Sequence, residues 1–290
     1  MRRADGATVV ATVVCTGRFL AVRRVGEPSS DLRKCVRAPS PQHLRGVDRR
    51  RAGAFAYDHV VPTLGIIGGI APPSTIEYYR AVVDIHRKLT AGRAPQVLIN
   101  SLDGDEVLRH LSSAETGELV AVLLQGIRDL AAGGAHLAVL ASASVHIAFE
   151  RLQEESPLPL IGIVDATVEA SRAHSRLGLF GTNFTVRAHL FGPKLAACGI
   201  SVVRPTAREQ DDIHRIYFEE LVAGHFRSSS RSRLVEIAYR MREEELIDGV
   251  LLAGTELPLI LPDKHYDGLP FIDTSRAHVE AAVTAMLASR

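Results

Sequence analysis

Cysteine is scarce in this chain, with only Cys15, Cys35 and Cys198 among 290 residues. Neither their spacing nor their odd number supports a zinc site or a disulfide framework. Also missing is any apolar run near the roughly 18 residues that a membrane-spanning helix requires, so no membrane partner is expected. The segment "ATVVATVVC" follows Arg2 and Arg3 in the manner of a signal peptide. However, Asp5 interrupts the basic start and no Ala-x-Ala cleavage pattern follows, which makes a cytoplasmic location the expectation. No strong charge of one sign remains either, because the net charge is +1. That figure hides an asymmetry: residues 1–62 hold eleven Arg and one Lys against five acidic residues, a net +7, leaving −6 for the rest. A mildly acidic body offers no electrostatic footprint for nucleic acid. Finally, "GIIGGIAPPS" has a proline pair where a dinucleotide fingerprint needs its third glycine, and no cofactor is expected.

What the chain does contain divides near residue 61. Residues 1–61 are rich in Arg, Pro and Ser, carry "RRR" at 49–51, and sustain no period of 2 or 3.6 beyond 8–22. Such a segment buries little apolar surface and reads as a disordered extension. It reads as a basic tail for a polyanion, as an extension the fold does not need, or as the result of an upstream start codon. From Pro62 onward, short apolar runs alternate with amphipathic segments. "TLGIIGG", "PQVLINS", "HLAVLAS", "LPLIGIV", "LGLFGT", "GISVVRP", "GVLLAGT" and "LPFIDT" read as strands, with helices between them. That alternation specifies an α/β fold of parallel sheets covered by helices.

The pattern also repeats. "LGIIGG" at 64–69 recurs as "LGLFGT" at 177–182, and "VLASAS" at 139–144 matches "LLAGTE" at 251–256, with offsets of 113 and 112. Two pairs at nearly one offset suggest a duplicated unit. The expectation is two pseudo-symmetric lobes, each a parallel four-stranded sheet: 62–163 plus 270–290, and 164–269. Ligands of such sheets bind beyond the carboxyl ends of the strands, so the matched segments should face one cleft.

Each of them ends in small or hydroxyl residues: Gly68-Gly69 before Ser74 and Thr75, Ser142 and Ser144, Thr182 and Asn183 with Thr185, and Gly254-Thr255. Taken singly these are ordinary caps and turn residues. Four such sets at equivalent places suggest a site for a small anion, with backbone approach at the glycines and hydroxyls for a carboxylate.

The successive segments "GIIGGIAPPSTIEYYR", "INSLD", "LGLFGTNFTV", "YFEELVAG", "LLAGTELPLIL" and "FIDTSRAHVEAA" resemble, in order and spacing, the signatures of the aspartate/glutamate racemase family. The resemblance covers nearly everything after the extension. It implies an inter-lobe site, no cofactor, a homodimer, and two cysteines facing the substrate α-carbon, one removing its proton and the other returning it. Thiols suit that task because helix N-terminal amides lower their pKa. By the same resemblance the two cysteine positions fall on Ser142 and Gly254. The Asn-Thr that follows the first is here Ala143-Ser144. Val222 stands where some aspartate racemases carry a substrate-binding lysine, and Phe218 where a tyrosine can occur. A dicarboxylic substrate would then need Arg109, Asn183 or His225 as its ionic partner.

Without thiols, an unassisted Ser142 is a weak base. His146, one helical turn on, is expected to activate it or act directly, and Glu256 to serve as the opposing base if burial raises its pKa. A plainer reading makes His146 a packing residue and Glu256 a first-turn acid. His278 and Asp273 read as structural. The resulting expectation is a cofactor-independent isomerase acting at the α-carbon of a small amino or carboxylic acid. The alternatives are a non-catalytic binder of the same ligand and a one-base decarboxylase or lyase, since relatives of that kind keep one cysteine and carry glycine at the other position.

Overall fold

The computed structural model describes residues 62–112 and 116–289. The extension expected over residues 1–61 lies outside them. In chain order the elements are β1 (Thr63–Gly68), α1 (Pro72–Leu89), β2 (Gln96–Ser101), α2 (Gly104–Ser112), α3 (Thr116–Ala132), β3 (Leu137–Leu140), α4 (Phe149–Glu155), α5 (Ile163–Ala170), β4 (Arg176–Gly181), α6 (Asn183–Arg187) and α7 (Gly192–Ala197). They continue with β5 (Ser201–Val203), α8 (Ala207–Ile216), α9 (Ser228–Glu245), β6 (Gly249–Ala253), α10 (Leu257–Ile260), β7 (His265–Tyr266), β8 (Leu269–Asp273) and α11 (Thr274–Ala288). A 3₁₀ turn, Ser144–Ala148, precedes α4, and a π-helical turn, Tyr217–Leu221, extends α8.

The strands form two sheets, ordered β2-β1-β3 and β5-β4-β6-β8-β7. Pairing is parallel throughout, apart from the two-residue β7 at one edge. The duplication is visible in this order, because β1, β2 and β3 stand to one another as β4, β5 and β6 do. The first sheet has three strands rather than the expected four. Its fourth, expected in "LPLIGIV", is reduced to one parallel bridge between Ala138 and Leu160. Helix α5 begins at Ile163, and the Ile163 N–H donates to His146 Nε2 at 3.2 Å, so an imidazole takes the amide that a longer strand would have used.

Strand periodicity explains how both faces of each sheet become covered. In the first sheet Leu64, Ile66, Leu137 and Val139 pack against α1 and α11, while Ile67, Ala138 and Leu140 pack against α3 and α4. In the second, Phe180, Val250 and Leu252 face α8 and α9, whereas Leu177, Leu179, Leu251 and Ala253 face the α5 and α7 side. Continuous apolar runs are what a doubly covered parallel strand requires. Each fully buried Leu or Ile stabilises the fold by about 1.5–3 kcal/mol.

The boundary drawn at residue 270 falls inside β8, which pairs with β6 and so belongs to the second sheet. Only α11 returns to the first, where Val279, Ala282, Val283 and Met286 join the core beneath α1. Asp273 links the two by capping α11, its Oδ1 accepting the Arg276 N–H at 3.0 Å. Among the described residues, no helix is long and apolar enough to cross a membrane.

Candidate active site

The first sheet delivers its site residues through two turns. After β1, Gly69 adopts φ +85°, and a Cβ there would lie 2.2 Å from the Leu102 carbonyl oxygen, so only glycine fits. The Gly69 N–H donates to Thr75 Oγ1 at 2.9 Å, and Ser74 Oγ donates to the Ala71 carbonyl at 2.8 Å. Both hydroxyls, expected to hold substrate, thus serve the turn itself. After β3 comes Ser142, half-buried, and then the 3₁₀ turn.

His146 occupies that turn but does not activate Ser142. Its Nδ1 lies 2.8 Å from the Ser142 carbonyl oxygen, not the hydroxyl, and its Nε2 accepts the Ile163 amide. Because an amide can only donate, Nδ1 carries the proton and the tautomer is settled. Burial, reinforced by the neighbouring His278, pushes the His146 pKa down to about 3. A neutral ring with both nitrogens engaged by backbone is a strut, which corrects the expectation of a base. His278 is a second strut: Nε2 donates to the Ile161 carbonyl at 2.8 Å and Nδ1 accepts from the Tyr78 hydroxyl at 3.0 Å. Burial lowers its pKa to about 4. The two imidazoles meet edge to face at 5.5 Å, tying α11, α1 and the β3 turn together.

Across from this turn, the end of β4 supplies Thr182, whose Oγ1 caps α6 by accepting the Thr185 N–H at 3.3 Å. The Ser144 hydroxyl oxygen lies 3.3 Å from that of Thr182 and 3.2 Å from that of Thr185, and the two threonine oxygens are 3.3 Å apart. One hydroxyl from the first sheet and two from the second therefore form a closed triangle. Thr182 and Thr185 are buried and Ser144 is half-buried; as hydroxyl rotors all three can redirect their protons. Asn183 supports the wall: its Oδ1 accepts from Gln210 Nε2 at 3.0 Å and its N–H donates to His214 Nδ1 at 3.3 Å. Phe184, His214 and Phe218 form an aromatic cluster beside it. Arg109 and His225 are exposed, and Val222 packs against the second-sheet core.

The end of β6 is the most enclosed corner. Glu256 is entirely buried, further than the partial burial expected of a base there. Its Oε2 accepts a hydrogen bond from the Tyr217 hydroxyl and another, 2.8 Å long, from Thr255 Oγ1. Thr255 is thereby committed to Glu256 rather than standing ready for a substrate carboxylate. Oε1 of Glu256 is sealed from solvent without a hydrogen-bond partner. Burial raises the Glu256 pKa, opposed by the hydroxyls of Tyr217, Thr255 and Ser74. The Tyr217 phenol is pushed well above its usual value, first by burial and then by the adjacent carboxyl. Ser74 comes from the β1 turn, so this corner too joins the two sheets.

Tyr217 and Tyr78 escaped sequence reasoning. Tyr217 begins the π-helical turn, in which the N–H groups of Val222 and His225 donate to the carbonyls of Tyr217 and Glu220, five residues back. Such turns recur at functional sites. The available hint was Gly254: a glycine ending a buried strand marks the close approach of another group. A separate depression of about 830 Å³ lies between α1, α11 and the chain after α10. Of the candidate residues only Thr255 lines it.

Paired parallel sheets whose strand ends meet across hydroxyls and an enclosed carboxyl define a two-lobed α/β protein with a candidate site between its sheets. The family model for Asp/Glu/hydantoin racemases matches residues 67–282, and the chain belongs to that family. It is 22% identical over 240 residues to a broad-specificity amino-acid racemase of Bacillus subtilis, covering 78% of this chain and 98% of the relative. Among solved structures, a putative Asp/Glu racemase from Yersinia pestis superposes with a TM-score of 0.69 at 25% identity, covering 78% of this chain and 99% of that one. An aspartate racemase homologue from Pyrococcus horikoshii gives 0.67 at 28% identity with the same coverage.

Proposed function

We propose that the protein is an amino-acid racemase-type isomerase that removes and returns the α-proton of a small amino or carboxylic acid without a cofactor. Family membership supports the reaction class, and the hydroxyl triangle of Ser144, Thr182 and Thr185 is the observation that carries the reading to this chain. A substrate carboxylate seated on the triangle draws on donors from both sheets, which orients the α-carbon between the β3 and β6 ends. In this reading Ser142 and Gly254 occupy the positions of the family's two thiols. The α-proton then leaves toward the β6 corner, where the raised pKa of Glu256 makes its carboxylate a stronger base than a solvated one.

The test is incubation of the full chain with a panel of L- and D-amino acids in deuterated water. Loss of the α-proton resonance with appearance of the opposite enantiomer on chiral chromatography is the expected result. Thermal stabilisation by an amino acid with no exchange would overturn the reading in favour of a binding protein. Carbon dioxide release would instead indicate a decarboxylase.

A further inference from the structure

Position 254 is where the resemblance to the racemases assigns the second thiol, and the structure fills that volume from elsewhere. A Cβ built on Gly254 would sit 2.5 Å from Tyr217 Cε2 and 3.3 Å from Cζ. Packed carbons essentially never approach to 2.5 Å, so a side chain at 254 and the Tyr217 ring cannot both keep these places. Cζ carries the hydroxyl, which therefore lies in the neighbourhood a side chain at 254 would reach.

Three further observations distinguish this ring from a filler. Its hydroxyl donates to a carboxyl that is itself fully enclosed. The hydroxyls of Tyr217 and Thr255 both bond to Oε2, and Oε1 has no hydrogen-bond partner. The tyrosine also opens a π-helical turn, a feature that recurs at functional sites. A buried phenol needs one hydrogen-bond partner; a buried carboxylate with an orphaned oxygen is far costlier than packing requires.

We infer that the Tyr217 hydroxyl, backed by Glu256, is the proton-transferring group on the second-sheet face of the substrate, standing in for a thiol at 254. The assignment rests on the α-proton chemistry proposed above. In the forward step the α-C–H bond breaks and its proton passes to the Tyr217 oxygen as the tyrosine's own proton moves to Glu256 Oε2. The electron pair left on the α-carbon delocalises into the substrate carboxylate held by the hydroxyl triangle. Glu256 is then neutral, the state burial favours, and the reverse relay restores the C–H bond.

Tyr217→Phe keeps the ring and its packing but removes the hydroxyl, while Glu256→Gln keeps a polar group that cannot accept the proton. Each should lower α-proton exchange by at least about 100-fold, the lower end for a general acid or base. Substrate-induced thermal shift should be retained in both. Exchange at the wild-type rate in Tyr217→Phe would overturn the assignment while leaving the racemase-type reading intact. No exchange by the wild-type chain with any amino acid would remove both.

A second arm is independent of turnover. Gly254→Cys should destabilise the wild-type chain and be much better tolerated with Tyr217→Ala, because the vacated ring volume admits the thiol. Equal cost in both backgrounds would mean that the ring does not occupy that place, and would overturn the assignment.

Discussion

The turn after β3 and the turn after β6 are matched by sequence, 112 residues apart, yet they are built from opposite materials. At the β3 turn the ionisable group, His146, is spent on backbone: one nitrogen holds the Ser142 carbonyl and the other the Ile163 amide. Its hydroxyls, Ser142 and Ser144, stay half-buried. At the β6 turn the hydroxyl of Thr255 is spent on Glu256, and the carboxyl keeps an oxygen without a partner. A duplicated scaffold thus carries one turn whose titratable side chain is structural and one whose titratable side chain is in reserve. Burial depresses the imidazole and raises the carboxyl. Each is driven toward its neutral form, but only the carboxyl retains an unsatisfied acceptor.

This contrast can be broken by titration. His146 and His278 have folded pKa values of about 3 and about 4 against an ordinary 6.5. Below pH 6.5 the unfolded chain takes up protons that the folded one refuses, so stability falls as pH drops toward 4. The expected slope is about 1.4 kcal/mol per pH unit for each imidazole, read from urea midpoints across a pH series. A flat profile over pH 6.5 to 5 would contradict the locked imidazoles.

Deleting the strut should follow in size. His146→Ala strands the Ile163 amide and the Ser142 carbonyl and opens a cavity beside Phe149, whose ring stacks at 5.2 Å. A loss of about 3 kcal/mol is expected, with exchange per folded molecule within a few-fold of wild type. A large loss of turnover with unchanged stability would return His146 to the chemistry.

Glu256→Gln should show the reverse separation. Because the folded carboxyl holds its proton more tightly than the unfolded one, Glu256 costs stability as pH rises above the ordinary carboxylate range through its raised pKa. Wild type should therefore lose stability relative to Glu256→Gln in that window, by up to about 1.4 kcal/mol per pH unit, in differential unfolding curves. Parallel curves would mean that folding does not raise the carboxyl's pKa.

The smallest effect is expected at the triangle. Ser144→Ala removes one of three hydroxyls and should weaken amino-acid binding by roughly 5-fold, the value of about one hydrogen bond. Isothermal titration would detect this, and unchanged affinity would place the carboxylate elsewhere.

Much of this architecture is legible from hydrophobic runs alone. After their first residue, the strands "TLGIIG" and "RLGLFG" are buried apolar segments closed by glycine, and doubly covered parallel strands leave that signature. The short fourth strand was not legible, because its end is set by an imidazole contact seventeen residues away in sequence. At the candidate site, the residues that meet as Ser144, Thr182 and Thr185 stood out by repeated position. The fate of Ser74, Thr75 and Thr255 was not, since a hydroxyl that serves its own turn looks identical in sequence to one that serves a ligand. Tyr217 was hidden for a similar reason: a five-residue turn of π-helix leaves no periodic trace, and only Gly254 recorded the space the ring needs.

The most direct measurement is a crystal structure with an exchanging amino acid bound. The substrate carboxylate is expected on the hydroxyls of Ser144, Thr182 and Thr185, with the Tyr217 oxygen within about 3.5 Å of the α-carbon. An amino acid bound instead in the depression between α1 and α11, or an α-carbon facing neither Tyr217 nor Glu256, would contradict it.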